Sequence, residues 1–375
     1  MEKFIPEIVK RNKDVEHMML ASSKYGLHGL GKSNFNKLFS MLVLTDIHYC
    51  DSLLDSAIDY LNYYDSLDCG ICLGDIHASN FANSDGKWYT SRIMRASKNF
   101  YTVLGNHDLG NSADINISAT PQMAFEKFIL PTAEKIGVSG LDKPYYVKLI
   151  DEYKIAIIVL LNYDLPDDLD EDGNFQVSRT YDAYSQAQTD WFIDALNSIP
   201  NDYHLIVASH SHSYDTIALE CSWTQDNLES GVLTNAYGND NMITDILDAW
   251  IHGKSIKKQY APIIKTNILP TINVYCDFST RGKGNFICHL IGHHHIDAIS
   301  TNAKYPEQKV ITLASSANDL WQNRSSDLPR TVGTKSEDLL TVFSVDTNKR
   351  QIRLVRIGSN FTINMTDRTS IMIEY

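Results

Sequence analysis

Residues 40–48 read "SMLVLTDIH": four consecutive apolar residues, then Thr45, Asp46, Ile47 and His48. An apolar run without polar alternation suits a strand buried on both faces, as in a parallel sheet covered by helices. Because the run ends in Asp-x-His, it sets titratable side chains just beyond the strand, where open α/β sheets bind their ligands. The same unit recurs along the chain. "CGICLGD" ends in Asp75 and "FYTVLGNHD" in Asn106, His107 and Asp108. "HLIVASHSH" contains His210, and "NFICHLIGHHH" ends in His293, His294 and His295. Taken singly, each is weak, since a lone Asp-x-His usually marks a loop and Gly-Asn favours a turn. Five such endings in order would gather Asp, Asn and His side chains at one rim.

Between these runs lie helix signals. "DSLLDSAIDYLNYY" sets Leu54, Ala57, Ile58 and Leu61 on one face, with Asp51 or Ser52 as its cap. "WYTSRIMRASKNF" and "AQTDWFIDALNSI" are further helices, and "KIAIIVLLN" (154–162) is another buried strand. Residues 213–284 read as a mostly polar, irregular insertion over the site, with one helix signal at "NMITDILDAWIHG". Its Trp223, Tyr237 and Trp250 could face a substrate base or pack the lid, and packing is the expectation. The segments "KVITLAS", "LLTVFSVD", "RQIRLVRIG" and "TSIMIEY" predict a β-rich, hairpin-like C-terminal part. Residues 1–38 form an N-terminal extension, and an α/β body follows from residue 39.

Composition narrows the chemistry. The 375 residues carry a formal charge of -13, which argues against a grip on long nucleic acid but leaves small phosphate esters open. The longest apolar runs fall short of the ~18 residues of a membrane span. "MEKFIPEIVKRNKDVEHMML" lacks the apolar core of a secretory leader, so a cytoplasmic location is expected. The six cysteines read as reduced thiols; Cys69 and Cys72 form a CxxC inside a buried strand, with no second pair to complete a zinc ribbon.

The ordered set "DIH", "GD", "GNHD", a later strand-end His and "GHHH" resembles the calcineurin-like metallophosphoesterase superfamily over about residues 40 to 300. The resemblance implies a four-layer α/β/β/α sandwich with a dinuclear metal site at one edge. Carried over by motif, Asp46, His48 and His295 would hold the first ion and Asn106, His210 and His293 the second. Asp75 would bridge them, His107 would be the catalytic histidine, and Asp108 would orient it. On an extended segment His293 and His295 would point one way and His294 the other.

Such carboxylate, amide and imidazole donors suit two divalent ions such as Mn, Fe, Zn or Ni, about 3.5–4 Å apart and sharing an activated water. Ala78 stands where protein phosphatases of the superfamily carry an Asp and purple acid phosphatases a metal-binding Tyr, so neither subgroup is implied. His77 reads as a loop histidine. Arg281, Lys283 and Arg330 are candidate phosphate contacts, though most such residues are surface charges. "DFSTRGKGNFICHLIGHHHID" (277–297) and residues 333–358 are similar to bacterial and prophage-encoded members. The expected activity is hydrolysis of a small phosphate diester or monoester. The alternatives are a nuclease for short oligonucleotides, or an idle scaffold or phage-associated protein.

Overall fold

The computed structural model describes residues 5–15, 38–78, 81–211, 241–262, 269–317, 330–331, 333–361 and 368–375. The apolar runs form the strands. In one sheet β1 (Phe39–Leu44), β2 (Cys69–Cys72) and β3 (Asn99–Thr102) run parallel. In the other, β4 (Tyr146–Ile150) pairs antiparallel to β5 (Ile155–Val159). Next to β5 come β6 (His204–Ala208), β9 (Asn285–Ile291) and β11 (Lys309–Thr312), all parallel to it. β10 (Ala298–Thr301) closes that edge antiparallel to β11.

The C-terminal strands β12 (Leu339–Asp346), β13 (Gln351–Gly358) and β14 (Ser370–Glu374) form an antiparallel meander. They are the expected β-rich C-terminal part, and they extend the first sheet. β12 pairs antiparallel with β1, giving six strands in the order β14-β13-β12-β1-β2-β3. β11, read from sequence with that C-terminal group, belongs to the other six-stranded sheet.

The two sheets share one core. Alternation along β5 sorts its side chains, with Ile155, Ile157 and Val159 joining Met41, Ile71 and Leu354 between the sheets. Ala156, Ile158 and Leu160 face the other way, into a second core with helix residues. On the first sheet lie α2 (Asp51–Tyr63) and α3 (Gly86–Ile93), the latter capped by Asp85, which accepts from Lys87 N at 2.9 Å. All four residues expected on the apolar face of α2 are buried, but the N-cap is Cys50, with Asp51 already in the first turn. α1 (Glu7–Arg11) precedes the first sheet and is fastened to it through Arg11 and Asn12, which bind Asp338. On the second sheet lies α4 (Gln186–Ser198), capped by Ser185. These are the four layers expected.

The expected insertion is more regular than its composition suggested. Within it, α5 (Asn241–His252) and an antiparallel hairpin of β7 (Ser255–Tyr260) and β8 (Ile272–Asp277) extend the second core. β8 alternates buried and exposed positions, whereas β7 is exposed or half-buried up to Tyr260, which packs. Trp250 is fully buried and donates Nε1–H to Leu196 O at 3.0 Å, so it is a packing residue. Trp223 and Tyr237 lie outside the described residues. No helix among the described residues is long and apolar enough to cross a membrane.

Candidate metal centre

The site lies where the parallel strands end. β1 leads to Asp46 and His48, β2 to Asp75, and β3 to Asn106 and His107, all from the first sheet. β6 leads to His210, and β9 to His293 and His295, from the second. Asp46, His48, Asp75 and His295 place one donor atom each within 4.8 Å of one another, and so do Asp75, His210 and His293. Asp75 belongs to both groups.

The backbone bends sharply to achieve this. Asp46, His48, Asp75, His293 and His295 all have φ between 40° and 65°, the left-handed region that non-glycine residues avoid. Such conformations cost of order 1 kcal/mol or more each and concentrate at functional sites. The finding corrects one expectation. The histidine run is not extended, and His293 and His295 reach their groups through two left-handed turns. Close approach helps as well: a Cβ on Gly292 would lie 2.6 Å from Asp46 Oδ2 and collide with Thr45 Oγ1.

His210 Nδ1 is 2.7 Å from Leu73 O, so it carries the hydrogen and Nε2 offers a lone pair. That Nε2 lies 3.2 Å from Asp75 Oδ2 and 3.2 Å from His293 Nδ1. His48 Nδ1 faces His77 O at 3.3 Å, leaving Nε2 at 3.4 Å from His295 Nε2. His295 Nε2 is 3.1 Å from Asp46 Oδ1, a buried oxygen with no hydrogen-bond partner. Lone pairs so crowded call for positive charge between them. The lone pair on His210 Nε2 belongs to the neutral ring. Burial disfavours a charge on His210, yet Asp75 and Asp46 push its imidazole up to about 10, so with no cation between them a proton on Nε2 balances the carboxylates. Burial likewise opposes ionisation of Asp75, but His210 and His107 hold it well below the usual carboxylate range. The same field would hold a divalent cation, and oxygen and imidazole donors suit borderline metals.

The other expected site residues surround this cluster. Asn106 turns its amide so that Nδ2 donates to Asn111 Oδ1 at 2.8 Å, and Oδ1 receives the Tyr163 hydroxyl at 3.3 Å. His107 sits half-buried at the edge, with its N–H donating to Asp75 Oδ1 at 3.0 Å and Nε2 3.9 Å from Asp75 Oδ2. Asp108 does not orient His107. Its Oδ1 accepts from Ile76 N at 2.8 Å and His77 N at 3.3 Å, and its Oδ2 from Gly105 N at 2.8 Å. It thus ties the loop after β2 to the loop after β3, while His107 Nδ1 has no hydrogen-bond partner. The cause is local: His107–Leu109 is a tight helical turn, which sends adjacent side chains in different directions.

His77 is fully buried, with its ring against Phe128 and Tyr49, so it is a core histidine more than a loop one. His294 is also buried. Arg281 lies over Trp250 and donates to Ile199 O at 2.9 Å, which commits it to the second core. Lys283 is exposed. Arg330 braces the chain beside the site, donating to Ser315 O and Ser316 O, and Ser315 Oγ donates to Asp46 O at 2.9 Å.

Sequence reading missed Asn162 and Tyr163, which hold the His210 loop and Asn106. They follow β5, and the strand-end rule that found the other residues applies to them equally.

Solved structures with a similar fold include a purple acid phosphatase from yellow lupin seeds, 10% identical over 91% of this chain, with a TM-score of 0.47. The chain spans about half, 54%, of that phosphatase. PhoD is 12% identical, with 92% of this chain and 71% of PhoD covered and a TM-score of 0.45. The phosphopantetheinyl hydrolase of Mycobacterium tuberculosis is 14% identical over 76% of this chain and 92% of its own, with a TM-score of 0.37. No curated protein sequence matches the chain. The family profile described as calcineurin-like phosphoesterase matches residues 39–297, which contain every strand end that feeds the cluster. The chain belongs to the calcineurin-like phosphoesterase family.

Proposed function

We propose that the protein is a dinuclear phosphoesterase that hydrolyses a small phosphate ester, with a diester favoured over a monoester. The observation that carries this reading is the sharing of Asp75 between two donor groups. One group, Asp46, His48 and His295, would hold one ion, and Asn106, His210 and His293 the other. Two divalent ions so held supply positive charge to the phosphoryl oxygens and activate water as the nucleophile.

The chain's own residues do the rest. The buried carboxylates and imidazoles fix the position of the charge, and the left-handed turns keep them from relaxing away. His107, half-exposed with Nε2 toward Asp75, is placed to deliver a proton to the leaving oxygen. Asp108 acts through the backbone by locking the two loops that carry Asp75 and His107. The preference for a diester rests on the ligand pattern shared with cyclic nucleotide phosphodiesterases. The net charge of -13 favours small substrates over long nucleic acid.

The test is hydrolysis of bis-p-nitrophenyl phosphate, p-nitrophenyl phosphate and cyclic nucleotides with added Mn²⁺. Turnover is expected, fastest on a diester. Absence of turnover on all of them across a range of pH would overturn the proposal.

A further inference from the structure

Five strand ends feed the metal centre, and a sixth lies beside them. β5 neighbours β6 in the second sheet and runs parallel to it, so its carboxyl end opens on the same rim. The two polar residues near that end, Asn162 and Tyr163, are both fully buried.

Asn162 spends its hydrogen-bonding capacity mainly on the loop that carries His210. Its Oδ1 accepts from His210 N at 2.9 Å and Ser211 N at 3.0 Å. Its Nδ2 donates to the Tyr184 hydroxyl at 2.9 Å and lies 3.4 Å from Ser211 O. With the His210 backbone held by Asn162 and its ring held by Leu73 O, Nε2 has little freedom left.

Tyr163 acts on the other side. A metal ion accepts only the oxygen of an amide, while the amide's two ends are nearly identical in shape. Asn106 therefore needs neighbours that tell its ends apart. Asn111 Oδ1 accepts the Nδ2 hydrogen at 2.8 Å, and the Tyr163 hydroxyl, shared with the buried Asp182 carboxylate, lies 3.3 Å from Oδ1 as its donor, leaving the second lone pair of that oxygen for a cation. Asn111 is itself fixed in a left-handed turn with φ 54°, its N–H donating to Asn106 O at 3.1 Å.

We propose that Asn162 and Tyr163 are positioning residues for the half of the centre built on Asn106 and His210. Asn162 sets the imidazole and Tyr163 the amide oxygen. This rests on the dinuclear reading of the site given above. Neither residue touches the donors contributed by Asp46, His48 or His295, so their effect falls on one ion and spares the other.

Tyr163→Phe removes the hydroxyl and keeps the ring. The experiment measures Mn²⁺ stoichiometry and affinity by titration, with the unfolding midpoint of the chelator-treated protein in parallel. The expected result is an affinity for one of the two ions lower by about 10–100-fold, with the other ion unchanged and the metal-free midpoint lowered by no more than the loss of one buried hydrogen bond. In an Asn106→Ala background the same substitution should add nothing to the loss, because the amide it orients is gone. Unchanged affinity for both ions would overturn the proposal. So would equal weakening of both ions together with a lower metal-free midpoint, which is the mark of general loosening. If the unaltered protein takes up no Mn²⁺, the dinuclear reading itself fails and this inference falls with it. Uptake of two ions that Tyr163→Phe leaves intact removes this inference alone.

Discussion

His210 Nε2 and Asp75 Oδ2 face each other 3.2 Å apart, in a buried cluster that also holds the imidazole of His293. Asp75 also accepts the His107 N–H and lies within 4.0 Å of His48 Nε2. It is the hub of both donor groups, so Asp75→Asn should be the most damaging single-atom exchange in the site. Mn²⁺ uptake is expected to fall at both positions, whereas His48→Asn should lower uptake at one. Metal analysis of the two variants side by side decides, and selective loss from Asp75→Asn would contradict the shared role.

His107→Ala separates chemistry from metal binding. His107 lies at the edge of the cluster with no place in either donor group. Hydrolysis is expected to fall about 10²–10⁴-fold, with metal content unchanged, as for loss of a general acid. A variant that loses metal in proportion to activity would make His107 a structural residue.

Gly292→Ala tests the close approach between the histidine run and β1. The added methyl meets Thr45 Oγ1 and Asp46 Oδ2, and Thr45 Oγ1 donates to that same carboxylate oxygen at 2.6 Å. Overpacking of this kind costs about 1–3 kcal/mol. Lower stability in denaturant and weaker metal binding should appear together. Wild-type metal affinity in Gly292→Ala would mean that the loop can shift without moving Asp46.

Stability at acid pH should depend on His289. It is fully buried on β9, 2.6 Å from Ser209 Oγ, and burial pushes its imidazole down to about 3. The unfolded chain binds this proton near pH 6.5, and the folded chain does not until about pH 3. The contribution is therefore complete above pH 6.5 and lost as the pH falls toward 3, with a limiting slope of about 1.4 kcal/mol per pH unit. In chelator-treated protein, His289→Gln should flatten the decline in denaturation midpoint between pH 7 and pH 5. Parallel curves for the two proteins would remove His289 as a cause.

Arg356 and Asp297 form a fully buried ion pair joining β13 to the chain just after the histidine run. Asp297 also accepts from Ala314 N at 3.0 Å. Arg356→Met strands a carboxylate in the interior and should cost about 3–5 kcal/mol. Replacing both residues, as Arg356→Met with Asp297→Asn, should recover part of that loss. A double variant no more stable than the single one would show that the loss arises from packing of the long side chain.

Much of this was legible in the chain because buried strands announce themselves. "LVL", "ICL" and "IAIIV" are runs that only a two-sided core tolerates, and the polar residues after them mark the rim. Four of the six buried residues of α2 followed from helical spacing alone. What escaped was set by backbone torsion and partner choice. Nothing in "GHHH" announces the positive φ of His293 and His295, because histidines are not glycines. Nothing in "GNHD" says that Asp108 prefers three backbone N–H groups to its neighbour's ring. The hairpin of β7 and β8 was hidden because "SIKKQY" lies largely exposed and offers few apolar residues to count. Asn162 escaped because it read as the last residue of a strand, although its amide belongs to the neighbouring loop.

Asp46, Asp75 and Asn106 stem from one sheet, and His210, His293 and His295 from the other. On the proposed assignment, each captured cation would rivet the two halves of the sandwich at their open end. Loading would then slow amide exchange along both layers at once and blunt proteolysis at the seam. A cell starved of metal would hold a chain that is both inactive and easier to degrade.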